Sequence, residues 1–169
     1  MSIAENIKHY QSQMPAQTQL IAVSKTKPIE DLQQAYDAGQ RLFGENKALE
    51  MRDKHEALPK DILWHFIGHL QTNKVKYIVP FVAMIHSVDS LKLLCEINKE
   101  AKKCGRVVDC LLQVDIAHEE TKFGMDDEQI EQLLISETFK ELENVRICGL
   151  MGIGSITDDM SQTQKEFHH

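Results

Sequence analysis

The first residues equipped for chemistry are Ser24-Lys25-Thr26-Lys27-Pro28, where an apolar run beginning at Leu20 gives way to a helix-forming segment. An amine just past a strand end can be desolvated, lose its proton readily and condense with a carbonyl as a Schiff base. Lys25 directly follows Val23-Ser24 and is the better placed amine, since Lys27 lies further into the turn. Position alone leaves a second reading open, a solvated lysine on a loop.

Other candidates lie at corresponding positions. Gly44-Glu45-Asn46, the stretch from Gly68 to Lys74, Ser87-Val88-Asp89 and Gly152-Ile153-Gly154-Ser155 each follow an apolar run. Glycine permits close backbone approach, and a helix start offers free N–H groups to an anion. Each segment alone is ordinary turn chemistry; four of them in step with a lysine-bearing turn point to a ligand site. Gly149, Gly152 and Gly154 lack the spacing of a dinucleotide fingerprint. Asp89 and Asp115 are possible general bases, but no carboxylate pair and no Ser-His-Asp or Cys-His arrangement stands out. His65 and His69 have the spacing of half a zinc finger without a cysteine pair, which argues against structural zinc. His65 alternates with Trp64 and Phe66, so it points away from an aromatic core face, either packed and hydrogen-bonded or turned toward a site.

The elements that must position these residues alternate. Strand-like runs are Leu20 to Ser24, Arg41 to Gly44, Leu63 to Ile67, Met84 to Val88, Cys110 to Ile116 and Val145 to Met151. Runs apolar on both faces suit parallel strands covered on both sides. Pro28 reads as a first helical residue and Gly39 as a stop, with Ile29, Leu32, Ala35 and Tyr36 on one face. Further helices are expected from about Asn46 to Leu58, between Gly68 and Pro80, and from Leu91 to Gly105. A later helix has Asp126 or Asp127 as cap and Ile130, Leu133 and Leu134 as its buried members. Ile3, Ile7, Tyr10 and Met14 outline an amphipathic helix before the first strand. Six strand–helix units in alternation imply an α/β fold, an open doubly wound sheet or part of a (β/α)8 barrel, with ligands at the carboxyl ends of the strands.

Composition narrows the function. The 169 residues carry 26 acidic and 19 basic side chains, a net charge of −7 that disfavours nucleic acid. The start lacks a signal-peptide profile and no stretch resembles a membrane span. Cys95, Cys104, Cys110 and Cys148 have no Cys-x-x-Cys spacing, so reduced thiols in a cytoplasmic protein are expected.

Five segments occur in order: Ala22-Val23-Ser24-Lys25-Thr26-Lys27-Pro28, Phe43-Gly44-Glu45-Asn46, Trp64-His65-Phe66-Ile67-Gly68-x-Leu70-Gln71-x-Asn73-Lys74, Thr121-Lys122-x-Gly124 and Gly149-Leu150-Met151. With them the chain resembles the pyridoxal 5′-phosphate homeostasis proteins, also called the proline synthase co-transcribed family. The resemblance runs from about Ile3 to the carboxyl end. It implies a (β/α)8 TIM-type barrel similar to the alanine racemase N-terminal domain, with Lys25 holding pyridoxal 5′-phosphate as an internal aldimine and Asn46, His65 and Met151 close to the cofactor. It also implies a non-catalytic carrier or buffer that affects amino-acid and keto-acid balance, with pyridoxal-phosphate-dependent enzymes as possible acceptors. The β-rich domain that completes alanine racemase is missing, which argues against a two-base racemase. Lys47 departs from the tyrosine that the family often has there.

The family continues with two further strand–helix units bearing Ser-x-Gly-Met-Ser and Gly-Ser-Thr-x-Val-Arg-x-Gly motifs, which these residues do not contain. The expectation is therefore one domain over residues 1–169, a barrel truncated after strand six. Weakened cofactor binding and an unstable or self-associating fold would follow. A racemase and a cofactor-free interaction domain are the alternative functions.

Overall fold

Strands β1 (Ala22–Val23), β2 (Leu42–Glu45), β3 (Leu63–Phe66), β4 (Met84–Val88), β5 (Val108–Val114) and β6 (Val145–Gly152) lie side by side in chain order, every neighbouring pair parallel. The computed structural model describes residues 2–117 and 123–168. Because all six strands run the same way, their carboxyl ends gather along one edge of the sheet.

Helices fill the connections: α1 (Ile3–Gln13), α2 (Ile29–Asp37), α3 (Ala48–Ala57), α4 (Val75–Ile78), α5 (Leu91–Lys103), α6 (Asp127–Ile135), α7 (Glu137–Lys140) and α8 (Met160–His168). Capping chemistry sets several starts. Ser2 and Glu5 form a capping box on α1, Asp126 and Gln129 form one on α6, and the Ser90 hydroxyl accepts the Leu93 N–H on α5. Gly39 and Gly105 take the left-handed conformation, at φ 99° and 63°, where α2 and α5 end.

Three sequence expectations are corrected. Pro28 caps α2 in an extended conformation rather than entering it. The segment after Gly68 forms a 3-10 turn at Thr72–Lys74 and the one-turn α4 instead of a long helix, although Leu70, Val75 and Ile78 are buried as expected. Before that segment, the Gly68 backbone lies close against Asn46, where a Cβ would clash with the Asn46 backbone. Tyr10 and Leu134 are exposed, because α1 and α6 each bury only one residue fully, Ile7 and Leu133.

Register separates two faces of the sheet. Phe43 pairs with Trp64, and Glu45 with Phe66, which pairs with Ile85. Phe43, Trp64, Phe66 and Ile85 join Leu32, Met51, Leu94 and Ile97 of the helices in one hydrophobic core. Trp64 is fully buried, and its burial with Phe43 and Phe66 supplies a large share of the apolar area that holds sheet to helices. The opposite face carries Val23, Gly44, His65 and Met84, in register across β1 to β4. It continues through Asp109 and Arg146. This face is where a site can form.

Candidate functional site at the carboxyl ends of the strands

Lys25 is the second residue past β1, and alternation from Val23 gives it the parity of the His65 face. Its side chain is exposed. The backbone around it is held from both sides. The buried Lys54 ammonium of α3 donates to the Ser24 carbonyl, to Glu45 Oε1 and to Glu50 Oε1, each at 2.7 Å. The Ser24 hydroxyl donates to the same Glu45 oxygen at 2.7 Å. One residue beyond Lys25, the Thr26 N–H donates to Glu50 Oε1 at 2.7 Å. Thr26 is the only non-glycine described with positive φ, 64°, a conformation costly for a β-branched residue. Burial pushes the Glu50 carboxyl up, but its hydrogen bonds with Lys54 and Thr26 outweigh that and hold it below the ordinary value.

Asn46 follows β2 by one residue, next to the Lys25 turn, and has the same parity. Its Oδ1 is buried with no hydrogen-bond partner among the described residues. A buried amide oxygen without a donor is costly unless another molecule supplies one. Asn46 also lines a cleft of about 430 Å³ with Lys47, Glu50, His69, Gln71 and Lys74.

His65 lies in the body of β3 and faces away from Trp64 and Phe66, as its alternation predicts. Its Nδ1 is 2.8 Å from Nε2 of His86 on β4. Burial, then the neighbouring imidazole, lower the His65 pKa to about 4, and burial lowers that of His86. Two neutral rings can share one hydrogen bond only if one donates and the other accepts, so their tautomers are linked. Nearby, His69 Nδ1 is 3.1 Å from the Asp89 carboxylate, which engages one of the two carboxylates considered as bases.

Met151 comes from β6 and reaches the same face through an irregularity. Cys110 pairs with Ile147 but Leu111 pairs with Gly149, so Cys148 is an extra residue in the strand. Beyond it the parity is reversed, and Met151 pairs with Gln113. Register therefore places Lys25, Asn46 and His65 on one face of three adjacent strands, and Met151 on the same face from the far strand of the sheet. Of the Thr121-Lys122-x-Gly124 segment, Thr121 and Lys122 lie outside the described residues; Gly124 adopts φ 145° against the backbone of Asp115.

Sequence reasoning missed Lys54, Glu50 and His86. Glu50 and Lys54 stand four apart on α3, a spacing that predicts a helix-surface ion pair; nothing in the spacing tells that Lys54 is buried beneath the Lys25 turn. Among the described residues no cluster of three or more His, Cys, Asp or Glu can hold a metal ion. No described helix is long and apolar enough to cross a membrane.

Comparison with known proteins agrees with this architecture. The family described as alanine racemase, N-terminal domain, matches residues 1–169. A pyridoxal phosphate homeostasis protein of Aquifex aeolicus is 45% identical over 135 residues, covering 79% of this chain and 58% of the relative. One from Helicobacter pylori is 40% identical over 152 residues, covering 88% of this chain and 67% of the relative. The chain thus spans about three fifths to two thirds of the length of these relatives. The structure of PipY from Synechococcus elongatus PCC7942 without PLP superposes with TM-score 0.91 at 38% identity, covering 98% of this chain and 77% of PipY. The PLP-bound form of PipY gives TM-score 0.87 at 37% identity, with the same coverage. Alanine racemase of E. faecalis shares the fold at TM-score 0.78 and 17% identity, covering 97% of this chain and 45% of the racemase. With the lysine-bearing turn, the parallel strands in chain order and these likenesses in hand, the chain belongs to the alanine racemase N-terminal domain family and, within it, to the pyridoxal phosphate homeostasis proteins.

Proposed function

We propose that the chain binds pyridoxal 5′-phosphate and acts in cofactor homeostasis, holding the cofactor as a Schiff base on Lys25 without turning over a substrate. The observation that carries this is the pairing of an exposed lysine amine at the end of β1 with the partnerless Asn46 Oδ1 at the end of β2. The residues present fit the group: an amine for its aldehyde, an amide for its polar substituents, and His65 and Met151 on the same face. When bound, the cofactor supplies an electron sink for amines. What the protein supplies is the amine, its orientation and the neutral His65–His86 pair, uncharged above about pH 4 at His65. Relatives named for pyridoxal phosphate homeostasis and a relative solved with PLP bound support the reading. Reversible release to pyridoxal-phosphate-dependent enzymes, with consequences for amino-acid and keto-acid balance, is the proposed role.

The test is an absorbance spectrum of the chain with added pyridoxal 5′-phosphate, then borohydride reduction and peptide mapping. A band near about 420 nm whose reduction labels Lys25, and which Lys25→Ala abolishes, is expected. A band that persists in Lys25→Ala would move the anchor to another lysine. Solvent deuterium entering Cα of an amino acid in a Lys25-dependent way would instead make the protein a racemase-type enzyme.

A further inference from the structure

Among the described residues the Lys25 side chain has no hydrogen-bond or ion-pair partner, yet its two flanking residues are tied to one buried cluster. Lys54 is 5% exposed and Glu45 is fully buried, so this cluster is set into the core beneath the turn. Its hydrogen bonds leave the cluster at two points with only Lys25 between them: the Ser24 carbonyl and hydroxyl on one side, and the Thr26 N–H on the other. The turn closes on itself as well, the Lys27 N–H donating to the Ser24 carbonyl at 3.1 Å. Thr26 is the residue whose φ of 64° a threonine seldom adopts. Strained backbone persists only where its surroundings over-determine it, and here the surroundings are Glu50 and Lys54.

We propose that Lys54, acting through Glu45 and Glu50, is the positioning residue for Lys25: it locks the turn in the one backbone conformation that presents the Lys25 amine at the strand ends. The proposal rests on the reading of Lys25 as the cofactor anchor. A lysine suits the task because its ammonium has three donors, and here they reach three acceptors on two elements and the turn. Glu50 does double duty, receiving Lys54 and holding the Thr26 amide with the same oxygen. Removing the carboxylate acceptor therefore frees Thr26 to leave its left-handed conformation. The Lys25 amine then samples several directions instead of one, and a misdirected reacting group is slow to engage its partner.

The two substitutions that separate positioning from charge are Glu50→Ala and Glu50→Gln. Both remove the charge beside Lys54, but glutamine keeps an acceptor for the Thr26 N–H. Two readouts are taken on the full chain: amide hydrogen exchange at Thr26, and the rate at which added pyridoxal 5′-phosphate produces its protein-bound band. In Glu50→Ala, Thr26 exchange is expected to rise, and band formation to slow, by about tenfold or more, while Glu50→Gln stays within about threefold of the native chain on both. Lys54→Met is expected to match or exceed the alanine effect, and the Glu50 pair decides the matter if that variant does not fold. Native exchange at Thr26 in Glu50→Ala would overturn the proposal, as would equal losses in the alanine and glutamine variants. Lys25→Ala separates the two ideas: a surviving band there defeats the anchor reading, while the exchange data still report on the clamp.

Discussion

His65 and His86 meet imidazole to imidazole, Nδ1 to Nε2 at 2.8 Å, across neighbouring parallel strands. Neither ring can charge without placing a cation against its neighbour. Burial, and after it the neighbouring imidazole, lowers the His65 pKa from 6.5 to about 4. Between those values the unfolded chain takes up a proton that the folded chain refuses. The pair's contribution is thus complete above pH 6.5 and is lost as pH falls toward about 4, an effect on the order of 1–3 kcal/mol. Urea midpoints measured from pH 7.5 to 4 are expected to fall in the native chain and to flatten in the His65→Gln, His86→Gln double variant. An unchanged slope in that variant would place the pH sensitivity elsewhere.

Gly68 lies so close to the β2 end that a Cβ there would stand 2.4 Å from Asn46 Cβ and 2.7 Å from Asn46 Cα and its carbonyl oxygen. Backbone cannot swing aside as a flexible side chain does. Gly68→Ala is therefore expected to cost about 1–3 kcal/mol in denaturant titrations and to displace Asn46. Stability within about 0.5 kcal/mol of native would show that the connection after β3 yields easily.

Trp64 is fully enclosed, and its indole Nε1 has no hydrogen-bond partner among the described residues. Trp64→Ala should cost about 3–5 kcal/mol through the cavity it leaves. Trp64→Phe keeps an aromatic ring and deletes the unsatisfied donor, so its loss should stay near about 1 kcal/mol. Equal losses for the two variants, read from urea unfolding, would mean that the indole has a bound partner.

Arg146 makes a two-bond pair with Asp109, at 2.7 and 2.8 Å. Good geometry does not compensate for solvent here, since the arginine side chain is 68% exposed. A double-mutant cycle with Arg146→Ala and Asp109→Ala should return a coupling below about 1 kcal/mol that shrinks with added salt. A coupling of several kcal/mol would reveal that this end of the face is shielded in solution.

Much of this was legible beforehand for a simple reason: alternation and punctuation are local. Met84 to Val88 reads as a strand and is one, and of the two candidate caps, Asp126 and Asp127, the structure uses Asp126. The direction of His65 followed from its aromatic neighbours. What escaped notice depends on chain segments meeting in space. Cys148 gives no sign in sequence that it is the extra residue that turns Met151 onto the His65 face. Lys54 looks like any helix-surface lysine until Glu45, Ser24 and Glu50 converge on it. The one-turn α4 also departs from its apolar spacing, which suggests a longer helix where the chain forms a 3-10 turn and a single helical turn.

The strand order has a consequence for how the molecule comes into being. Each strand hydrogen-bonds only to the strands just before and after it in the chain. Between β1 and β6 no gap has to be held open for a later strand. The sheet can lengthen by one edge at a time as the polypeptide leaves the ribosome, each new strand and helix docking on a template already laid down. The turn bearing Lys25 joins the first two such layers, and Lys54 follows in the helix immediately after them. The clamp around the candidate anchor can thus close during synthesis, before most of the sheet exists.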